Sequence, residues 1–400
     1  MQWLGARRRL VLAAGLIATA VVIIAVISSN ARHAVALSVA LAVAIAGVST
    51  LTIGGFREVH PVLARATLTI VVLDAALFAT YFFSSITNFN LAIGAAMSIT
   101  LLGLSFLTGA SGQISLGNSA FMGVGALTVA IWANHHATTP MAVTLLIAVA
   151  CGTFVGLLLG LPATRLRGPY LAGMTLAFAV AFTAIVNSFT SWTGGDAGLQ
   201  LPTAVTPPHW LSDFFNAQTS ILRVNTMWLA DITIAVTAVA FFFMSNLFAS
   251  RTGRAMRLVR DNEVAAELVG VSLPRARVIA FMVSSAYAAL GGGLWTLINN
   301  SVQPPAFSLA LSITILSLVV IGGIGTISGA LIGGVIYAYS NNVISWFTQH
   351  TGINPQGNLA SQLPGIVFGG LLILTMLFAP MGIAGAVRRL WTRRQARKPV

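Results

Sequence analysis

Nine charged side chains fall within 27 residues of this chain: Arg251, Arg254, Arg257, Arg260, Asp261, Glu263, Glu267, Arg275 and Arg277. The segment holds three of the eight acidic residues and six of the twenty-one basic ones, in a chain that is otherwise almost entirely apolar. Guanidinium and carboxylate groups at this density do the chemistry of ion pairing and charge-assisted hydrogen bonding. As a helix the segment is amphipathic: Met256, Val259, Val264, Leu268 and Val269 are apolar, and Arg254, Arg257, Arg260, Asp261 and Glu267 occupy much of the rest. Gly270 suits a helix stop, and Pro274 opens the next segment. Basic amphipathic helices often lie on anionic lipid, but Asp261, Glu263 and Glu267 would repel it. Mixed charge around the small pair Ala265-Ala266 better suits the groove of a partner protein in the water.

A second group of polar side chains lies in Ser111-Gly-Gln-Ile-Ser-Leu-Gly-Asn-Ser-Ala-Phe-Met-Gly-Val-Gly125, which links two apolar runs. Gln113, Ser115, Asn118 and Ser119 bring hydrogen-bonding groups to membrane depth, and Gly322, Gly323 and Gly325 in a second glycine-rich link permit a backbone break. Two readings are open for these links: close helix packing, or broken helices whose polar backbone lines a translocation path.

Several chemistries are missing. Lys398, at the extreme tail, is the only lysine, so no phosphate-binding GxxxxGK[ST] loop exists. There is no HExxH zinc pair and no GxSxG nucleophile elbow. His135 and His136 have no carboxylate or cysteine support nearby, and the one cysteine, Cys151, stands inside an apolar span. No metal site is therefore expected. Asp74 stands within an apolar run, where a carboxylate either pairs structurally or serves transport.

These groups must be positioned by membrane helices. Hydrophobic residues make up 57% of the 400 residues and charged ones 7%, which excludes an ordinary soluble domain. Runs of about 20 apolar residues, enough to cross the hydrocarbon, stand near 10–29, 34–53, 66–87, 91–108, 141–161, 169–190, 228–249, 277–298, 309–323, 328–347 and 363–382, with a shorter one at 114–133. The expected fold is an all-α polytopic transmembrane bundle of about 10–12 segments. It divides into two N-terminal helices over 1–65, a main transmembrane domain over 66–390 and a basic tail over 391–400. With both termini cytoplasmic, only Arg32 and Arg223 of the basic residues fall outside, so the net charge of +13 reflects orientation rather than nucleic-acid binding. The polar stretch 191–227 reads as an external loop. Its Trp192, Trp210, Phe214 and Phe215 suit either the headgroup layer or an external partner.

With these residues in hand, the chain resembles the LivM-type permease subunits of ATP-binding-cassette importers for branched-chain amino acids, urea and short-chain amides. The match is carried by Leu107–Ala126; by Leu161-Pro-Ala-Thr-Arg-Leu-Arg-Gly-Pro-Tyr-Leu-Ala172 with Thr193-Gly-Gly-Asp-Ala-Gly-Leu199; by Gly253–Phe281; and by Val319–Gly329. The resemblance implies that about 253–272 is a cytoplasmic coupling helix. Glu263, Ala265, Ala266, Glu267 and Gly270 would meet an ATP-binding subunit, with Arg257 and Arg260 flanking. It implies no cofactor on this chain, ATP and magnesium being held by two partner ATP-binding subunits. A second related permease, an external solute-binding protein and a bacterial or archaeal cytoplasmic membrane complete the expectation. Val302-Gln-Pro-Pro-Ala-Phe307 and Ala179-Val180 depart from the family pattern by losing acidic residues, which leaves the cargo open. The competing class is a stand-alone ion-coupled transporter of about twelve spans.

Overall fold

The computed structural model describes residues 83–136, 139–166, 168–202 and 221–351, with isolated positions between 69 and 80 and between 369 and 385. The expected N-terminal helices over 1–65, Asp74, most of the 191–227 loop and the basic tail lie outside the described residues. The long elements are α1 (Ser85–Ser111), α2 (Asn118–His135), α3 (Met141–Ala163), α4 (Pro169–Ser188), a one-turn α5 (Thr190–Thr193) and α6 (Ile221–Ala249). There follow α7 (Arg251–Asp261), α8 (Glu263–Leu268), α9 (Leu273–Asn299), α10 (Leu309–Gly322) and α11 (Ile327–Thr351). The protein is an all-α polytopic membrane bundle. Among the described residues five helices are long and apolar enough to span a bilayer: Ser85–Ser111, Met141–Ala163, Pro169–Ser188, Asn225–Ala249 and Leu273–Asn299.

The chain partitions into two units, Met1–Asn88 with Trp210–Asn246, and Phe89–His209 with Leu247–Val400. In the first, Thr80 donates its hydroxyl to Asp231 at 2.7 Å, and its carbonyl accepts from the Asn88 amide at 3.0 Å. Asp231 stands on α6 inside an apolar helix, so Asp74 is not alone among acids in such runs. The reading that began this span at 228 missed it because Asp231 falls near the start of the run, whereas the helix begins a turn and a half or more earlier.

The second unit is organised around α9. In lipid the hydrophobic effect cannot hold helices together, so close packing of small residues must. Gly152, Gly156 and Gly160 recur every four residues on α3 and face Ala289, Ser285 and Phe281 of α9, antiparallel. A Cβ at Gly156 would lie 3.0 Å from the Phe281 carbonyl, and one at Gly160 would lie 3.3 Å from Val278 Cα. The same helix α3 turns Leu146, Phe154 and Leu158 outward. Small residues face protein and large ones face lipid, the reverse of a soluble helix. On other sides of α9, Gly125 of α2 meets the Ala289 backbone, Gly292 meets the Met122 carbonyl, and Gly291 and Gly103 bring α9 against α1. Helix α11 runs against α1 through Gly334 and Ser98, and against α10 through Gly333 and Leu318.

At the end of the unit where α2 finishes and α3 begins, Leu199–Gln200 pairs antiparallel with Ser301–Val302, in register Leu199 with Val302. The Thr193–Leu199 motif makes this possible. Gly194, Gly195 and Gly198 take positive φ, and a side chain at Gly198 would strike the Val302 carbonyl.

Candidate functional site

The charged segment folds at the opposite end, where α2 and α9 begin. It is not one helix over 253–272 but two, α7 and α8, bent at Asn262. Ser250 caps α7 by accepting from Gly253 N–H at 3.2 Å, and Asn262 caps α8 by accepting from Ala265 N–H at 3.0 Å. Asn262 itself is extended (φ −158, ψ 106), which breaks the helical run. After α8, Gly270 takes φ +81, its N–H bonds the Glu267 carbonyl and that of Val271 bonds the Ala266 carbonyl. This is the Schellman stop that a glycine at this place permits. The six-residue helix is thus fixed at both ends.

The two helices separate their apolar residues. Gly253, Met256 and Val259 of α7 and Ala266 of α8 are buried. Val264, Leu268 and Val269 are 68%, 84% and 68% exposed, and Glu267 beside them is exposed. The expected single amphipathic face is therefore split: one part seats the segment on the bundle, and the other forms an apolar knob with an acidic edge. Ala265 is half-buried beneath it.

The arginines face the bundle through their tips. Arg254 and Arg257 donate to the carbonyls of Ala249 and Phe248, at 2.7 and 3.1 Å, and so occupy the open end of α6. Arg260 donates from Nη1 to the Gly109 carbonyl near the end of α1 and pairs with Asp261 at 2.7 Å. Arg277 is the one charged side chain buried among the described residues. It donates from Nη1 to the Thr164 carbonyl at 2.9 Å and from Nη2 to Glu263 Oε1. Sequence reading assigned Arg277 no role. The signal available was its spacing from Arg275: two residues on a helix point to nearly opposite sides, so only one could be solvated.

The polar, glycine-rich link lies against this assembly. Residues 112–117 are non-helical and interrupt α1 and α2, with Gln113, Ser115 and Asn118 buried. Their backbone is satisfied from other helices: Thr175 of α4 accepts from Leu116 N–H at 2.9 Å, and Ser312 of α10 accepts from Ser119 N–H at 3.0 Å and bonds its hydroxyl at 2.7 Å. The side-chain amide nitrogen and oxygen of Gln113 and of Asn118 are buried without a protein partner. The second link is a four-residue turn between α10 and α11. Gly323 and Gly325 take positive φ there, Gly325 N–H bonds Ser105 Oγ at 3.0 Å, and Gly322 closes against the Gly329 carbonyl. Gly109 and Gly325 are in backbone contact, so the two breaks meet.

Of the residues named from the sequence, Gln113, Arg260 and Glu263 meet around one cavity of about 230 Å³, lined also by Ser111, Gly112, Ile114, Leu166, Gly168, Leu171, Val259 and Arg277; Ser115, Asn118, Ser119, Arg257, Ala265, Ala266, Glu267, Gly270 and the Gly322–Gly325 link do not line it. Replacing Ser312 with alanine would remove two bonds to Ser119 and unfasten one wall of this region. A loss of about 1–2 kcal/mol is expected, the upper range for hydrogen bonds inside membrane bundles, measurable as a lowered unfolding temperature in detergent.

A bundle held by small residues, with two broken helices meeting a capped, solvent-facing helix pair, is the architecture of a membrane transport component. The chain belongs to the family of branched-chain amino acid transport system permease components, which it matches over residues 86–376. It is 29% identical over 301 residues to the high-affinity branched-chain amino acid transport system permease proteins LivM of Salmonella typhimurium and of Escherichia coli, covering 72% of this chain and 67% of each relative. It is also 26% identical over 215 residues to LivH of Salmonella typhimurium, covering 53% of this chain and 64% of that one. No solved structure matches it.

Proposed function

We propose that the chain is one membrane-spanning half of an ATP-driven importer that moves a small polar solute, such as a branched-chain amino acid, into the cytoplasm. The observation that carries this reading is the knob of Val264, Glu267, Leu268 and Val269. A six-residue helix capped at both ends presents apolar side chains to water, which costs solubility unless a partner covers them. An ATP-binding subunit fits that role, because beside the knob Arg260 reaches Gly109, where the two breaks meet, and Glu263 reaches Arg277 and through it the end of α3. Asn118, Gln113, Ser115 and Ser119 would line that path, and Gly323 and Gly325 would let its wall bend. ATP and magnesium would be held by the two partner subunits. A second related permease and an external solute-binding protein would complete the complex, with the charged end of the bundle cytoplasmic in a bacterial or archaeal membrane. The family name supports the amino acid as cargo; the acidic residues missing around Ala179 and Val302–Phe307 leave its identity open.

A stand-alone ion-coupled carrier is the second reading, and the half-buried Asp231, which accepts from the buried Thr80 hydroxyl, favours it. Gentle solubilisation of the tagged chain from its native membrane, followed by mass spectrometry, separates the two. Stoichiometric recovery of two ATP-binding subunits and a second permease is expected. Recovery of the chain alone, in a detergent that keeps a known importer intact, would overturn the importer reading.

A further inference from the structure

We propose that Arg277 is a positioning residue of the transport cycle, one that carries movement of α8 into the membrane helices and is not itself a grip for an ATP-binding subunit. This rests on the importer reading above. The guanidinium is bonded to two elements at once. Its Nη1 holds the Thr164 carbonyl, which ends α3, and its Nη2 holds Glu263, the first residue of α8. Arg277 itself belongs to the first turns of α9, the helix that α3 grips through Gly152, Gly156 and Gly160. A displacement of the knob therefore reaches α9 and α3 together through one buried side chain.

The geometry also separates Glu263 from the knob. Val264, Glu267 and Leu268 are exposed, whereas the Glu263 side chain, 39% exposed, pairs its carboxylate with the buried Arg277. The cavity of about 230 Å³ beside the pair gives it room to move without tearing packed helices apart. Arg260, which also lines that cavity, makes a similar connection to Gly109, near the break before α2. Lysine in place of Arg277 keeps the charge but lacks the planar fork that spans two acceptors.

The test uses the complete complex in proteoliposomes, with three readouts: co-purified ATP-binding subunits, ATP hydrolysis and solute uptake. Arg277→Lys and Glu263→Gln are expected to keep subunit yield and hydrolysis while lowering solute moved per ATP by about tenfold or more, within the range usual for coupling between sites. Unchanged transport per ATP in both variants would overturn the proposal. So would parallel loss of bound subunits, hydrolysis and uptake, which would make the pair a docking or purely structural contact. Failure of the wild-type chain to retain any ATP-binding subunit would instead sink the importer reading, which is a separate result.

Discussion

The folded-to-unfolded ratio is expected to fall about tenfold or more when Gly125 is replaced by alanine, and not to fall when Gly173 is. Both glycines are in helices, where alanine is favoured over glycine by about 0.5–1 kcal/mol. Propensity alone would make both changes stabilising. At Gly173 nothing lies within 4 Å of an added Cβ, so that gain stands. At Gly125 the new atom would meet the carbonyl oxygen, Cα and carbonyl carbon of Ala289, the last at 2.5 Å. These are backbone atoms of a packed helix and cannot rotate away, unlike the end of a flexible side chain. Helix α2 would have to lift from α9, opening the contacts around Met122 and Gly292 as well. Overpacking of this kind costs about 1–3 kcal/mol or more, and 1.4 kcal/mol is a factor of ten in an equilibrium. The midpoint of thermal unfolding, read by size-exclusion chromatography of a fluorescent fusion heated in mild detergent, reports the change. A Gly125→Ala midpoint equal to wild type would show that α2 and α9 do not approach as closely as described.

The other large effect concerns the knob. Converting Leu268 and Val264 together to serine is expected to strip the ATP-binding subunits from the complex, with uptake falling in parallel, while the chain itself elutes as before. Leu268 is 84% and Val264 68% exposed, so neither supports the fold of this chain. Covered by a partner, each would contribute on the order of 1.5–3 kcal/mol. Loss of a central apolar anchor commonly costs 2 kcal/mol or more, which is about thirtyfold in affinity. Pull-down against the partner subunits at two protein concentrations measures it. Retention of the subunits at wild-type yield would mean that docking uses another surface. The contrast with Arg277→Lys matters here: the knob variants lose binding, whereas the arginine variant keeps binding and loses transport per ATP.

The membrane helices were legible in the sequence for a simple reason. In hydrocarbon every backbone N–H and C=O must be satisfied within the segment, so an apolar run long enough to cross has little choice but to be helical. Expected spans at 91–108, 141–161 and 277–298 lie inside α1, α3 and α9, and that at 169–190 overruns the end of α4 at Ser188 by two residues. The stop at Gly270 was legible too, because a left-handed residue after a helix strongly prefers glycine. The bend at Asn262 had a signal that was passed over: asparagine is a strong N-cap, and here it stands immediately before Glu263, the first residue of α8. Asp231 was missed by placing a boundary too late.

By itself the sequence determined the class of fold and the location of the charged segment and of the two glycine-rich links, because each depends on local composition and backbone preference. Tertiary structure alone decided which members of those groups do what. Arg275 and Arg277 are identical as residues, yet one is exposed and the other joins α3, α8 and α9. Val259 and Val264 belong to one apolar pattern, yet one anchors the segment and the other faces water. The glycines of α3 are spaced as packing residues, but their partners on α9 come from more than a hundred residues away. Such assignments depend on which helix faces meet across the bundle, a property of the whole packing arrangement that no local stretch of sequence encodes.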